Sequence, residues 1–310
     1  MKTLKKSNCA PNKTRRVSNS CFTKQAILML KKEYNKDTKN IKKIKSSDPK
    51  QIWKDLKNYN PTCDVEKCWI QNINDSSIKS KLEKMYFAPS KPSSWSKNPN
   101  EWLSNYDIKH VLDQYSDTYK HFAFIGPTPI DFDSTAYGTC VWDDLCKFDL
   151  QSFIDKGKTK IGVIFNLDPH DKPGSHWVSL IIDTKNKYIM YFDSNGITCP
   201  PEICTLIKRI IDQGANMSHK LVLKEIQNKY QHQYTNTECG MYSLYFIITH
   251  LTEKLLNKKV SHKKIVEHFT KKGSQIIMSF NYATNTSTNV NMIVRFVHSQ
   301  LAAAQTLYSN

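Results

Sequence analysis

The chain has 310 residues, 39% of them hydrophobic and 24% charged, which is enough length for one large or two modest domains and enough apolar content to bury a core. Nine glycines in that length exclude a collagen-like or linker-like protein, and no apolar run approaches the roughly 18–20 residues of a membrane span. The net charge of +17 is one-ended: residues 1–58 hold 17 Lys/Arg against 4 Asp/Glu, so a basic arm leads the chain.

Such an arm attracts DNA or another polyanion by a force that salt screens, or serves only as a solvated segment. The opening Met1-Lys2-Thr3-Leu4-Lys5-Lys6 lacks the apolar stretch of a secretory signal, so the protein is expected not to be secreted. Nine cysteines, an odd number without an export signal, suit free thiols in a reducing compartment better than a disulfide framework. Cys63/Cys68, Cys140/Cys146 and Cys199/Cys204 form loose pairs, but none has the Cys-x2-Cys spacing of a zinc knuckle, and no metal is expected.

In chain order, the first twenty residues read as a loose tail. Ala26, Ile27, Leu28 and Leu30 suggest an amphipathic helix; Ser47-Asp48-Pro49 caps a second one bearing Ile52, Trp53 and Leu56; Ile78–Met85 repeats the pattern. A Pro- and Ser-rich loop fills 88–100, and Trp102, Leu103, Tyr106, His110, Val111, Leu112 and Tyr115 then recur at helical spacing. A boundary near residue 118 divides a mostly helical arm domain, 1–118, from a second domain, 119–310.

Past that point the period changes. Residues 161–165, 176–183, 187–193 and 221–226 are short β-branched or aromatic runs bounded by turns, as in a buried sheet. Only Thr184-Lys185-Asn186 separates the middle two, so they form a hairpin that brings His176 and Asp193 together, with His176, Trp177 or Val178 directly opposite Asp193. Pro200-Pro201-Glu202 opens a helix through Ile203, Leu206, Ile207, Ile210 and Ile211, and a second, apolar on most sides, runs from near Cys239 to Leu256. Shorter elements are expected around 263–270 and 290–301.

Cys239 stands where a polar segment meets that buried helix. Unsatisfied N–H groups and the positive end of the helix dipole stabilise an anion there, and a thiolate is the nucleophilic form of cysteine. Such a nucleophile needs a base, an orienting group and oxyanion donors. His176, Asp193, and Gln233 or Gln231 with the Cys239 N–H are the candidates, and Gly240 lets a substrate backbone approach.

Gly174-Ser175-His176-Trp177-Val178, Tyr191-Phe192-Asp193-Ser194 and Gln233-Tyr-Thr-Asn-Thr-Glu-Cys239-Gly240 resemble the cysteine proteases of ubiquitin-like proteins, a family that includes SUMO proteases and the adenovirus protease. The order His, Asp, Gln, Cys matches, and the spacing of six between Gln and Cys selects Gln233. Within the family the likeness is strongest to the precursor-processing branch of African swine fever virus and other large DNA viruses. That branch carries Asn where this chain has Asp193, which leaves Asn195 as an alternative orienting group if the register differs.

The resemblance implies an α+β, papain-like fold with a mixed sheet against a central catalytic helix, and covers about residues 120–300. It implies cleavage of viral core precursors after Gly-Gly-Xaa-like sites, with Trp177 roofing a channel for small residues, no cofactor, and a location in the virion and host cytoplasm. Removal of ubiquitin- or SUMO-like modifiers is the alternative activity. A basic nucleic-acid-binding virion protein with a silent protease fold is the alternative of another class.

Overall fold

The computed structural model describes residue 4 and residues 9–252, apart from 12–15, 18, 19, 38–40, 90, 91, 99, 100, 137 and 235. The elements expected around 263–270 and 290–301, and the last turn of the Cys239 helix, lie outside the described residues. Two compact units make up the chain, residues 1–90 and 91–310. Among the described residues no helix is long and apolar enough to cross a membrane.

The first unit is helical: α1 (Lys24–Lys36), α2 (Pro49–Tyr59), α3 (Lys67–Gln71) and α4 (Ser76–Tyr86). Local chemistry starts them. Thr23 accepts from Ala26 N, Asp48 caps α2 ahead of Pro49, and Asp75 caps α4, each side chain satisfying a backbone N–H that the first turn leaves open. Phe22, Ile27, Ile52, Leu56, Trp69 and Ile70 form its core.

The described part of the expected loose tail is tied down instead. Cys9 bridges to Phe87, the Ala10 N–H donates to the Tyr86 carbonyl at 3.1 Å, and Cys9 is disulfide-bonded to Cys21. The expectation of free thiols is also corrected: Cys63–Cys68, Cys140–Cys146 and Cys199–Cys204 are disulfides, and Cys239 is the free cysteine. Each of those three pairs spans a turn of five or six residues, so local chain reversal delivers the sulfurs to one another without any need for an even count overall.

The second unit begins with α5 (Asn105–Thr118), started by a capping box in which Ser104 and Asp107 satisfy each other's backbone. Its apolar face, Ile108, Val111, Leu112 and Tyr115, joins the core of the second unit. The division therefore falls at residue 90 rather than near 118. Then follow β1 (Phe122–Pro129), β2 (Thr135–Ala136), β3 (Thr139–Cys140), α6 (Asp143–Cys146), α7 (Leu150–Asp155), β4 (Lys160–Asn166), β5 (Trp177–Asp183), β6 (Tyr188–Phe192), α8 (Pro201–Ala215), β7 (Lys224–Gln227) and α9 (Cys239–Thr252).

Five strands form one mixed sheet in the order β1-β4-β5-β6-β7, parallel at both edges and antiparallel in the middle. Its centre is dry on both faces because β4, β5 and β6 are apolar on both alternating sets of positions. On one face Ile164, Trp177, Ile181, Met190 and Phe192 pack against α5 and α9. On the other, Val163, Phe165, Val178, Leu180, Ile189 and Tyr191 meet Ile203, Leu206, Ile207 and Ile210 of α8. Helix α9 is buried from Cys239 to Leu251 apart from Met241, as its nearly unbroken apolar sequence requires.

Candidate active site

The β5–β6 hairpin fixes the register that the sequence left open. Ser179 pairs with Phe192, which sets Asp193 opposite Val178 and makes His176 its diagonal neighbour on the same face. His176 Nε2 donates to Asp193 Oδ1 at 2.8 Å. Cys239, at the first turn of α9, also acts on this imidazole, through hydrogen bonding and through charge. Cys239, His176 and Asp193 thus come together from the start of α9, the residue before β5 and the residue after β6.

Burial and charge act in opposite directions on His176. Its side chain is only 15% exposed, and desolvation works against the cation. Hydrogen bonds to Asp193 and Cys239, with the negative charge of each, outweigh that and raise the imidazole to about 9. At neutral pH His176 is therefore the imidazolium. Asp193 is 1% exposed and its Oδ2 has no hydrogen-bond partner among the described residues, which leaves the imidazolium as the close compensation for a buried carboxylate.

The turn after β6 does more than carry Asp193. The Asn195 N–H donates to Asp193 Oδ1 at 2.7 Å and the Gly196 N–H to the Asp193 carbonyl at 3.0 Å. Asn195, the alternative orienting group, thus contributes through its backbone, while Asp193 meets the imidazole. Gly196 has φ +74°, and a Cβ there would lie 2.7 Å from Tyr230 C and 2.9 Å from Gln231 N. That close passage lets the turn grip the segment leading to Cys239: Asn228 Nδ2 donates to the Asp193 carbonyl at 2.7 Å, and the Ser194 carbonyl accepts from His232 N and Gln233 N.

Gln233 is buried, and Ser194 Oγ donates to its Oε1 at 2.7 Å. Gln231 instead turns its side chain back onto the Gln233 carbonyl at 2.9 Å. Trp177 is 6% exposed, its indole N–H donating to the Leu103 carbonyl at 3.1 Å. It also lines a cleft of about 260 Å³ together with Asn105, Pro127, Trp142, Asn166 and Gly174.

Gly240 has a different setting from the one expected. A Cβ there would stand 3.2 Å from Leu103 Cβ and 3.2 Å from Trp177 Cδ1, so the missing side chain makes room for these two rather than for a substrate backbone. Sequence reasoning passed over Asn228 and Tyr242, and gave Ser194 and Leu103 no part in the site. All four meet the site through contacts between distant segments. Among the described residues no three His, Cys, Asp or Glu side chains cluster as a metal site would need.

Residues 151–279 match the model of the Ulp1 protease family, C-terminal catalytic domain. A protein of Acanthamoeba polyphaga mimivirus named as a thiol protease is 28% identical over 278 residues, 82% of this chain and 87% of that protein. A cysteine protease of African swine fever virus is 26% identical over 202 residues, 60% of this chain and 72% of its own length, and the version from another isolate carries the name SUMO-1 cysteine protease. The crystal structure of an African swine fever virus protease shares the fold, with a TM-score of 0.53 at 20% identity over 86% of this chain and 96% of that one.

Proposed function

We propose that this chain, a cysteine protease of the Ulp1 type, is a viral endopeptidase that cuts core or capsid precursors after small residues of the Gly-Gly-Xaa kind. The observation that carries the reading is the buried His176–Asp193 contact at 2.8 Å, with an imidazole on which Cys239 also acts. The viral sources of the relatives support the setting, in the virion and the cytoplasm of the infected cell.

In this reading the Cys239 thiolate attacks the scissile carbonyl carbon, and the C=O π pair moves onto oxygen. The Cys239 N–H and the Gln233 NH2 stabilise that oxyanion. As it collapses, the C–N bond breaks and His176 gives its Nδ1 proton to the leaving amine, which leaves a thioester on Cys239. His176 then takes a proton from water, the hydroxide attacks the thioester, and the C–S bond breaks to return the thiolate. Asp193 holds the imidazole in plane throughout and favours its charged form. In this reading small residues before the cut lie along the cleft that Trp177 lines together with Trp142 and Pro127.

Removal of ubiquitin- or SUMO-like modifiers is the second reading, favoured by the name of one African swine fever virus relative, and a Gly-Gly tail would use the same cleft. Residues 1–58 carry +13, with Lys32, Lys42, Lys45, Lys50 and Lys54 exposed, which supports contact of this basic arm with DNA or another polyanion. The experiment is incubation with virion precursors and with a Gly-Gly ubiquitin-like precursor, followed by mass spectrometry of the new termini. Cleavage after Gly-Gly-Xaa in the virion proteins supports the first reading. Cleavage of the ubiquitin-like precursor alone supports the second, and retained cleavage by Cys239→Ala or His176→Ala overturns both.

A further inference from the structure

The two sides of His176 are lined differently. Strand order is β1-β4-β5-β6-β7, and the register sets His176, just before β5, and Asp193, just after β6, at one end of the sheet. At that same end the Trp177 cleft is built from the last residues of β1 and β4, Pro127 and Asn166 among them. The opposite side belongs to the segments that follow β6 and β7. There Ile197, Tyr230 and Tyr234 are 60%, 57% and 63% exposed.

Their backbones are held although their side chains are not. A Cβ on Gly196 would lie 2.7 Å from Tyr230 C, so the turn that leads to Ile197 presses against the second segment. Asn228 Oδ1 accepts from the Tyr230 N–H at 3.1 Å, and Asn228 Nδ2 donates to the Tyr230 carbonyl at 2.8 Å. Beside Tyr234, the Gln233 N–H donates to the Ser194 carbonyl at 2.9 Å. Turn and segment are thereby joined into one ledge.

Side chains that stay mostly in water add little to the fold. Exposed aromatic and branched side chains grouped on a fixed backbone instead mark a contact surface, since a rigid base limits what ordering costs on binding. A protein substrate continues past its scissile bond. With small residues before the cut entering on the β1–β4 side, the residues after it leave on the β6–β7 side, over this ledge.

We propose that Ile197, Tyr230 and Tyr234 form a docking surface for the stretch of the protein substrate that follows the scissile bond, and that they favour apolar side chains there. The inference rests on the reading of the Trp177 cleft as the place of the residues before the cut.

The test uses the full chain and three substrates that share one Gly-Gly-containing stretch before the cut. One is a coumarin amide with no residue beyond the bond, the second continues with residues that include Leu and Phe, and the third has Ser and Gly in their place. Wild type is expected to cut the apolar extension with a kcat/KM about tenfold above the polar one. Ile197→Ser, Tyr230→Ser and Tyr234→Ser combined should cut both extensions at the polar rate, with the coumarin amide within about twofold of wild type. Tyr230→Phe, which keeps the ring, should retain the preference. The amine product, a peptide that begins after the cut, should inhibit the combined variant about tenfold more weakly, while a peptide aldehyde that ends at the cut inhibits both proteins alike.

Equal wild-type rates on the two extensions overturn the inference, and so does a combined variant that keeps the preference. A variant slowed alike on all three substrates overturns it by marking a general structural role. Weaker aldehyde inhibition with unchanged product inhibition overturns it by placing the residues before the cut on the ledge. A coumarin amide with Leu-Leu in place of Gly-Gly, cut as fast by wild type, overturns the reading of the cleft itself.

Discussion

Replacing Asp193 with Asn removes one charge and keeps an oxygen that accepts from His176 Nε2. In the wild type the imidazole is raised from its ordinary 6.5 to about 9, and at about 1.4 kcal/mol per tenfold this is about 3 kcal/mol of preference for the charged form. Hydrogen bonds and negative charge from both Asp193 and Cys239 supply it against the opposing pull of burial. Without the carboxylate charge, the alkaline limb of kcat/KM, where His176 loses its proton, should move down by about one to two pH units from about 9. Near pH 7 kcat should fall no more than about tenfold, because the orienting bond survives; Asp193→Ala, with no acceptor, should lose about 100-fold. Initial rates on a fluorogenic peptide from pH 5 to 10 provide the assay. An alkaline limb that stays near 9 in Asp193→Asn would refute the reasoning, since the proton would then be held by something other than the buried carboxylate.

The same titration has a stability consequence with a defined sign. An imidazole near 6.5 when unfolded and about 9 when folded contributes stability that is full below about 6.5 and lost as pH rises through about 9, so wild type should lose its advantage over His176→Gln in urea midpoints between those limits. Gly240→Ala crowds Leu103 and Trp177 at 3.2 Å and should cost about 1–3 kcal/mol by denaturant titration, with kcat reduced. Lys160, 4% exposed, is paired with the fully buried Asp183 at 3.3 Å; Lys160→Ala should cost about 3–5 kcal/mol while the folded fraction keeps its kcat. Alkylation in denaturant without reductant should label Cys239 alone, and labelling of all nine cysteines under those conditions would contradict the four disulfides.

Much of the second unit was legible because its elements obey local rules. A three-residue polar link between two apolar runs made the β5–β6 hairpin readable, and that pairing alone brought His176 near Asp193. The apolar sequence of α9 announced a buried helix with Cys239 at its start. Strand β1 was not read as a strand, since Gly126-Pro127 interrupts its apolar run as a turn would. Helix α5 was found but assigned to the wrong unit. Its 3.6-residue period shows that one face is buried without showing against which core.

The remaining misreadings concern contacts between distant segments. An odd cysteine count argued for free thiols, yet three of the four disulfides close short turns and leave only Cys239 free. Gly240 beside a nucleophile suggested room for substrate, whereas Leu103, more than a hundred residues earlier, fills that space. Ser194 and Asn228 show no motif of their own. Their importance comes from the turn at Asp193 meeting the segment before Cys239, which only the folded chain brings together.

The central claim, that the Cys239 sulfur is the nucleophile and His176 its partner, is tested most directly by catching the acyl-enzyme. Wild-type protein mixed with a cleavable peptide and quenched in acid within milliseconds should yield, after proteolysis and mass spectrometry, an acyl group on the fragment bearing Cys239, and His176→Ala should yield almost none. An acyl group on another residue, or full acylation of Cys239 in His176→Ala, would contradict the account.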